Sequence, residues 1–208
     1  ISMRLNFSDP QIRYLIDYAN LKHGIIKYQN DFLNPIQFDN FVKNIHYGFP
    51  LLLPLGIKYF DYEKKCVFKL NKNQVLKKIF RSNKKYIGAK IFFQYGNKFA
   101  YNAKLKKKYS INVNEINKIN QKLINKIKIL KKNYYVSSFQ TRNVPHLGHE
   151  EIVKRLMKKK GKVIINPLIG MKKKGDFKNE VLLKVFTNLI TNNEYKNKVF
   201  FNPLVANM

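Results

Sequence analysis

The chain has 208 residues, 45% hydrophobic and 14% aromatic, with one cysteine and 41 Lys+Arg against 12 Asp+Glu, a formal charge of +29. This is enough apolar material for one or two packed domains and excludes a disordered chain. A lone thiol, Cys66, excludes an internal disulfide and is compatible with a reducing, cytoplasmic interior. No apolar run has the length of a membrane span, so no membrane partner is expected.

The lysines are scattered and accompany heavy use of Asn, Ile, Tyr and Phe. We read them as a solvated surface encoded by A/T-rich codons, not as a nucleic-acid site. Their field would still concentrate small anions. His23 and His46 stand far from the other two histidines and read as ordinary surface or core residues, and no Cys/His cluster has zinc spacing. The first residues lack a signal-peptide pattern. The chain does not begin with Met and is read as a fragment.

Along the chain, Ser8-Asp9-Pro10 suits a helix start, and Ile12, Leu15, Ile16 and Ala19 give 11–21 helical spacing. Asn34-Pro35 opens a short helix through Phe38, Phe41 and Val42. The Pro-broken run 49–55 is read as a buried strand. Short apolar and aromatic runs at 51–53, 57–60, 67–70, 87–93 and 99–105, separated by Gly56 and Tyr95-Gly96-Asn97, predict a small, largely antiparallel β-domain interrupted by a helix at 74–80. Ile116, Ile119, Leu123, Ile127 and Leu130 predict an amphipathic bridging helix over 115–130. A β-rich N-terminal domain with this helix is expected over 1–132.

From residue 133 the pattern becomes α/β. Strands are expected at 134–139, 163–166 and 199–201, helices from 146 or 148 to 160, ended by Gly161, and from 178 to 191, and a loop at 167–177. Alternating elements imply a parallel sheet with right-handed crossovers, incomplete where the chain stops. Between the first strand and helix stands Gln140-Thr141-Arg142-Asn143-Val144-Pro145-His146-Leu147-Gly148-His149. A strand that breaks into a polar turn and enters a helix converges backbone N–H groups and the positive end of the helix dipole. His146 and His149 share one helix face and can reach one anion.

This stretch resembles the ATP sulfurylase (sulfate adenylyltransferase) family, whose hallmark is Gln-Thr-Arg-Asn-Pro followed by two histidines so spaced. A second hallmark matches Asn166-Pro167-Leu168-Ile169-Gly170-Met171-Lys172-Lys173-Lys174-Gly175-Asp176-Phe177, with a Pro-hydrophobic-hydrophobic-Gly turn, a Lys and then Gly-Asp. The resemblance is strong over 136–208 and fainter upstream, where Phe32-Leu33-Asn34-Pro35 looks like an early Phe-Ser-Pro segment. It implies a PUA-like N-terminal domain before a Rossmann-like nucleotidyltransferase domain. The implied reaction joins ATP and sulfate into adenosine 5′-phosphosulfate and pyrophosphate. Mg²⁺ arrives on the ATP, and no protein-bound metal is expected. It further implies that Gln140 and Arg142 bind sulfate, that Thr141, Arg142 and Asn143 are active-site residues, and that His146 and His149 stabilise the α-phosphorus, all but Thr141 also contacting ATP. The lysine loop at 172–174 could flank the nucleotide. A homo-oligomer is compatible with the family.

Three departures stand beside the resemblance. Val144 intervenes before Pro145, the connection from the β-domain to Tyr134 is short, and a later Gly-Arg-Asp-His-Ala-Gly loop is absent. Truncation before that loop is expected, with little or no turnover by these 208 residues. The alternatives are another His-x-Gly-His nucleotidyltransferase, a basic nucleic-acid-binding homologue, and a degenerate, non-catalytic one.

Overall fold

The structure, a computed structural model, describes residues 5–44, 49–81, 85–158, 161–172 and 175–207. His46, Lys173, Lys174 and the expected helix end at 159–160 lie outside the described residues. Among the described residues, no helix is long and apolar enough to cross a membrane. The chain is mixed α and β and divides into two compact units, one of residues 17–111 and one of 1–16 with 112–208.

Helix α1 (Ile12–Lys22) starts in the second of these units and ends in the first. Its register is set by Ile12, Leu15, Ile16 and Ala19, all buried at the expected helical spacing.

In the unit 17–111, α2 (Pro35–Lys43) begins at a capping box. The Asn34 side chain accepts the Gln37 N–H at 2.8 Å, and the Gln37 side chain accepts the Asn34 N–H at 3.1 Å. Asn caps a helix as well as the Ser of the resembling segment would. The strands that follow are short: β1 (Leu53–Pro54), β2 (Phe60–Asp61), β3 (Val67–Lys69), β4 (Lys98–Ala100) and β5 (Lys104–Leu105). They pair antiparallel as β1-β4-β3 and β2-β5. Only Leu53 and Pro54 of the run 49–55 form strand. Helix α3 (Lys72–Ile79) is capped by Asn71, which accepts from the Asn73 and Gln74 amides.

The run 87–93, read as strand-like, is instead helix α4 (Ile87–Phe92). Its buried residues, Ala89 and Phe92, lie three apart, the spacing of one helix face and not of a strand. Both join a core with Phe80, Val75, Leu76 and Phe99. Packing against that core overrides the β preference of an aromatic, branched run.

Helix α5 (Ser110–Lys131) begins at the end of the unit 17–111 and runs into the other unit, where it precedes three parallel strands with intervening helices. These are β6 (Val136–Thr141), α6 (Leu147–Lys158), β7 (Lys162–Ile169), α7 (Asn179–Ile190) and β8 (Val199–Phe201), followed by β9 (Leu204–Val205). The order is β6-β7-β8, with β9 also on β7. β8 and β9 keep one register against β7, Ile165 opposite Phe201 and Leu168 opposite Leu204. The interruption falls at Asn202-Pro203, where proline has no N–H to donate. On one face Val163 and Ile165 pack with Val153 of α6, Leu182 and Phe186 of α7, and Val199. Ile164, alternating to the other face, is equally buried.

Two sequence boundaries move. The first strand is shifted to 136–141, which places Gln140 and Thr141 inside it. The expected loop at 167–177 starts later, because β7 continues through Pro167 to Ile169 by pairing with both neighbours. Gly170 follows, where a Cβ would stand 2.5 Å from the Ala206 carbonyl oxygen. Only a glycine lets the two backbones approach this closely. Gly170→Ala is expected to cost about 1–3 kcal/mol of stability, read as a lowered urea midpoint at unchanged m-value.

Candidate active site

The site is built from the carboxyl end of β6. Side chains alternate along the strand. Phe139 packs towards the core of α6 and α7, Thr141 is buried, and Gln140 between them is exposed. The Thr141 hydroxyl turns the chain: its Oγ1 accepts the Asn143 N–H at 3.1 Å and donates to the Asn143 carbonyl at 3.3 Å. Such a local bond competes with the strand ladder and ends it. Arg142 and Asn143 are left exposed, while Val144 returns half-buried against the core. The extra residue before Pro145 therefore anchors the turn.

His146 caps α6. Its Nδ1 accepts the Gly148 N–H at 3.2 Å, and its carbonyl accepts the His149 N–H at 2.8 Å. The two imidazoles stack with centroids 3.9 Å apart and planes tilted by 32°. His149 also meets the Phe139 ring edge-on at 5.2 Å. Its Nδ1 is buried with no hydrogen-bond partner. Burial, then the neighbouring His146, holds the His149 pKa below the ordinary 6.5, and the Val144 carbonyl opposes this. A pH titration of the ring-proton shifts is expected to find His149 protonating below that value.

Arg142 meets the second motif, not the histidines. Lys172 donates to the Leu168 carbonyl at 3.4 Å, beyond the end of the ladder that pairs Thr141 with Pro167. Burial holds the Lys172 ammonium below its usual pKa; Asp176 and Glu180 oppose that, and the Arg142 charge adds to it. The Arg142 charge is thus felt at Lys172 across the strand ends. Among the described residues, no hydrogen bond or ring contact joins Arg142 to either imidazole.

Two buried amides frame this corner: Asn166, which opens the second motif, and Asn179, which was not singled out from the sequence. Asn166, opposite Gln140, is fully buried and donates to the Ser138 hydroxyl and the Ile164 carbonyl. Asn179, at the start of α7, donates to the Gly170 carbonyl at 3.2 Å and closes the loop carrying Lys172. Both leave a buried Oδ1 without a partner. The available signal was an Asn inside the otherwise apolar run 163–169, where a solvent-facing role is implausible.

The α/β unit thus presents cationic and imidazole groups at the carboxyl ends of parallel strands, the place where open α/β sheets commonly bind ligands. Residues 114–208 match the ATP-sulfurylase family model. Sulfate adenylyltransferases are similar over shorter segments. The Ignicoccus hospitalis protein is 45% identical over 73 residues, 35% of this chain and 19% of that protein. The Aeropyrum pernix protein is 41% identical over 73 residues, again 35% and 19%. The Pyrococcus abyssi protein is 51% identical over 51 residues, 24% of this chain and 14% of that protein. The matched segment thus spans no more than about a fifth of these relatives, and over it the resemblance carried by the two motifs is shown.

Proposed function

We propose that this chain carries the first part of a sulfate adenylyltransferase site, with residues 133–208 beginning the Rossmann-like catalytic domain and 1–132 forming a PUA-like domain with its bridging helix. The reaction is attack of a sulfate oxygen on the α-phosphorus of Mg·ATP. The new bond is S–O–P, the broken bond joins the α-phosphorus to the bridging oxygen, and pyrophosphate leaves. Sulfate is already ionised, so no general base is needed. The barrier is the approach of two anions, and catalysis consists of positioning and placed positive charge.

In this reading the Arg142 fork and the Gln140 amide hold sulfate, since a planar guanidinium can donate two parallel bonds to an oxyanion. Thr141 shapes the turn and Asn143 adds a neutral donor. His146 and His149 meet the phosphates around the five-coordinate α-phosphorus, and Lys172 adds charge beside Arg142. Cytoplasmic residence fits ATP as co-substrate.

The observation that carries the reading is the Gln140-Thr141-Arg142 strand end followed by the stacked His146/His149 pair, within the segment matched by the family model. Calorimetric titration of the 208-residue chain is expected to detect adenosine 5′-phosphosulfate, with 4′-phosphopantetheine as the contrasting ligand. Sulfate-dependent pyrophosphate release is expected to be slow or absent from this chain alone. Binding of phosphopantetheine in preference to the phosphosulfate would shift the assignment to another His-x-Gly-His nucleotidyltransferase.

A further inference from the structure

The paired imidazoles carry an inference about chemistry. A backbone N–H can only donate. The Gly148 amide points at His146 Nδ1 from 3.2 Å, so that nitrogen must present a lone pair. A cationic imidazole carries N–H at both nitrogens and cannot accept this bond.

From this we infer that the Gly148 amide is a positioning group that locks His146 in its neutral, Nε2–H form, so that this histidine serves the site as a neutral hydrogen-bond donor and not as a cation. Two further observations agree. A Cβ at position 148 would lie 3.1 Å from His146 Cε1 and 3.2 Å from Nδ1, so glycine lets the ring edge sit directly over the amide. The stacked partner, His149, has its Nδ1 buried. A charged His149 would carry an N–H at that position and need an acceptor there. The Val144 carbonyl is the group that favours this form, and burial outweighs it, so the neighbouring ring is also disfavoured as a cation.

The chemical consequence is a division of labour. Positive charge at the corner comes from the Arg142 guanidinium and the Lys172 ammonium. His146 contributes direction: with Nδ1 committed to the helix cap, one nitrogen remains to donate. A donor of fixed orientation favours one oxygen position over others and needs no reorientation as charge develops. The inference rests on the proposed function only for what Nε2–H is aimed at; the lock itself does not depend on it.

The test is nuclear magnetic resonance on the ¹⁵N-labelled 208-residue chain near pH 8, with His146→Gln used to assign the ring. His146 Nδ1 is expected to resonate as an unprotonated nitrogen and to show a two-bond N–N coupling to the Gly148 amide across the hydrogen bond. Gly148→Pro removes the donor at a first-turn position where proline is tolerated. That variant is expected to lose the coupling and to populate the Nδ1–H form. A protonated Nδ1, or no coupling, in the unmodified chain overturns the lock whether or not the variant folds. Pyrophosphate added to the same sample reports on the functional reading separately. An unmoved His146 Nε2 signal would sink that reading and leave the lock standing.

Discussion

Asn120→Ala is expected to lower the stability of the unit that carries the site by about 2–5 kcal/mol, the cost of leaving two buried backbone groups unsatisfied. Asn120 sits on α5 with no exposed surface. Its Nδ2 donates to the Val205 carbonyl at 2.9 Å, and its Oδ1 accepts the Val205 N–H at 2.8 Å. One amide therefore satisfies both backbone groups of a β9 residue, as a neighbouring strand would. β9 is two residues long and pairs with β7, and this fork ties its Val205 to α5 as well. Truncation removes both bonds and adds a void. Asn120→Asp keeps the acceptor but replaces the donor with a buried charge, and is expected to be at least as damaging. Urea unfolding followed by circular dichroism measures both. A loss below about 1 kcal/mol for Asn120→Ala would mean that water replaces the amide.

On the helix 115–130 the apolar stripe was visible in the sequence, and Asn120 was one of the polar residues between its members. Its partner stands 85 residues away, beyond the reach of periodicity. Asn179 escaped for the same reason, and Asn166 was visible as the head of the second motif but not as a buried bridge to Ser138. Short-range chemistry was legible. The Asn34-Pro35 start became a capped helix. The strand–turn–helix order around Arg142 followed directly from residue types. What spacing could not show was the division of the motif into two groupings, imidazole on imidazole and guanidinium beside Lys172. Helix α4 was misread because an aromatic, branched run fits either period, and only the core it meets decides.

Arg142→Ala is expected to reduce sulfate-dependent adenylyl transfer by roughly 10²–10³-fold, the range for removing one donor aimed at a developing oxyanion. In a chain that binds without turning over, affinity for adenosine 5′-phosphosulfate is expected to fall instead. Arg142 is exposed at the strand end, so its loss should change stability by no more than about 0.5 kcal/mol. That contrast separates a site residue from a structural one. Arg142→Lys keeps the charge but loses the fork, and is expected to recover little of the loss if two parallel bonds matter. Full recovery would reduce the role to simple charge. A second readout needs no turnover. The Arg142 charge helps hold the Lys172 ammonium below its usual pKa, so deleting it must move that pKa upward, while burial, the larger cause, remains. Reaction of Lys172 with an amine-selective reagent at fixed pH should accordingly slow in Arg142→Ala, because less of the amine is unprotonated. An unchanged rate would show that the two cations do not share one corner, and the proposed sulfate site would lose its second charge.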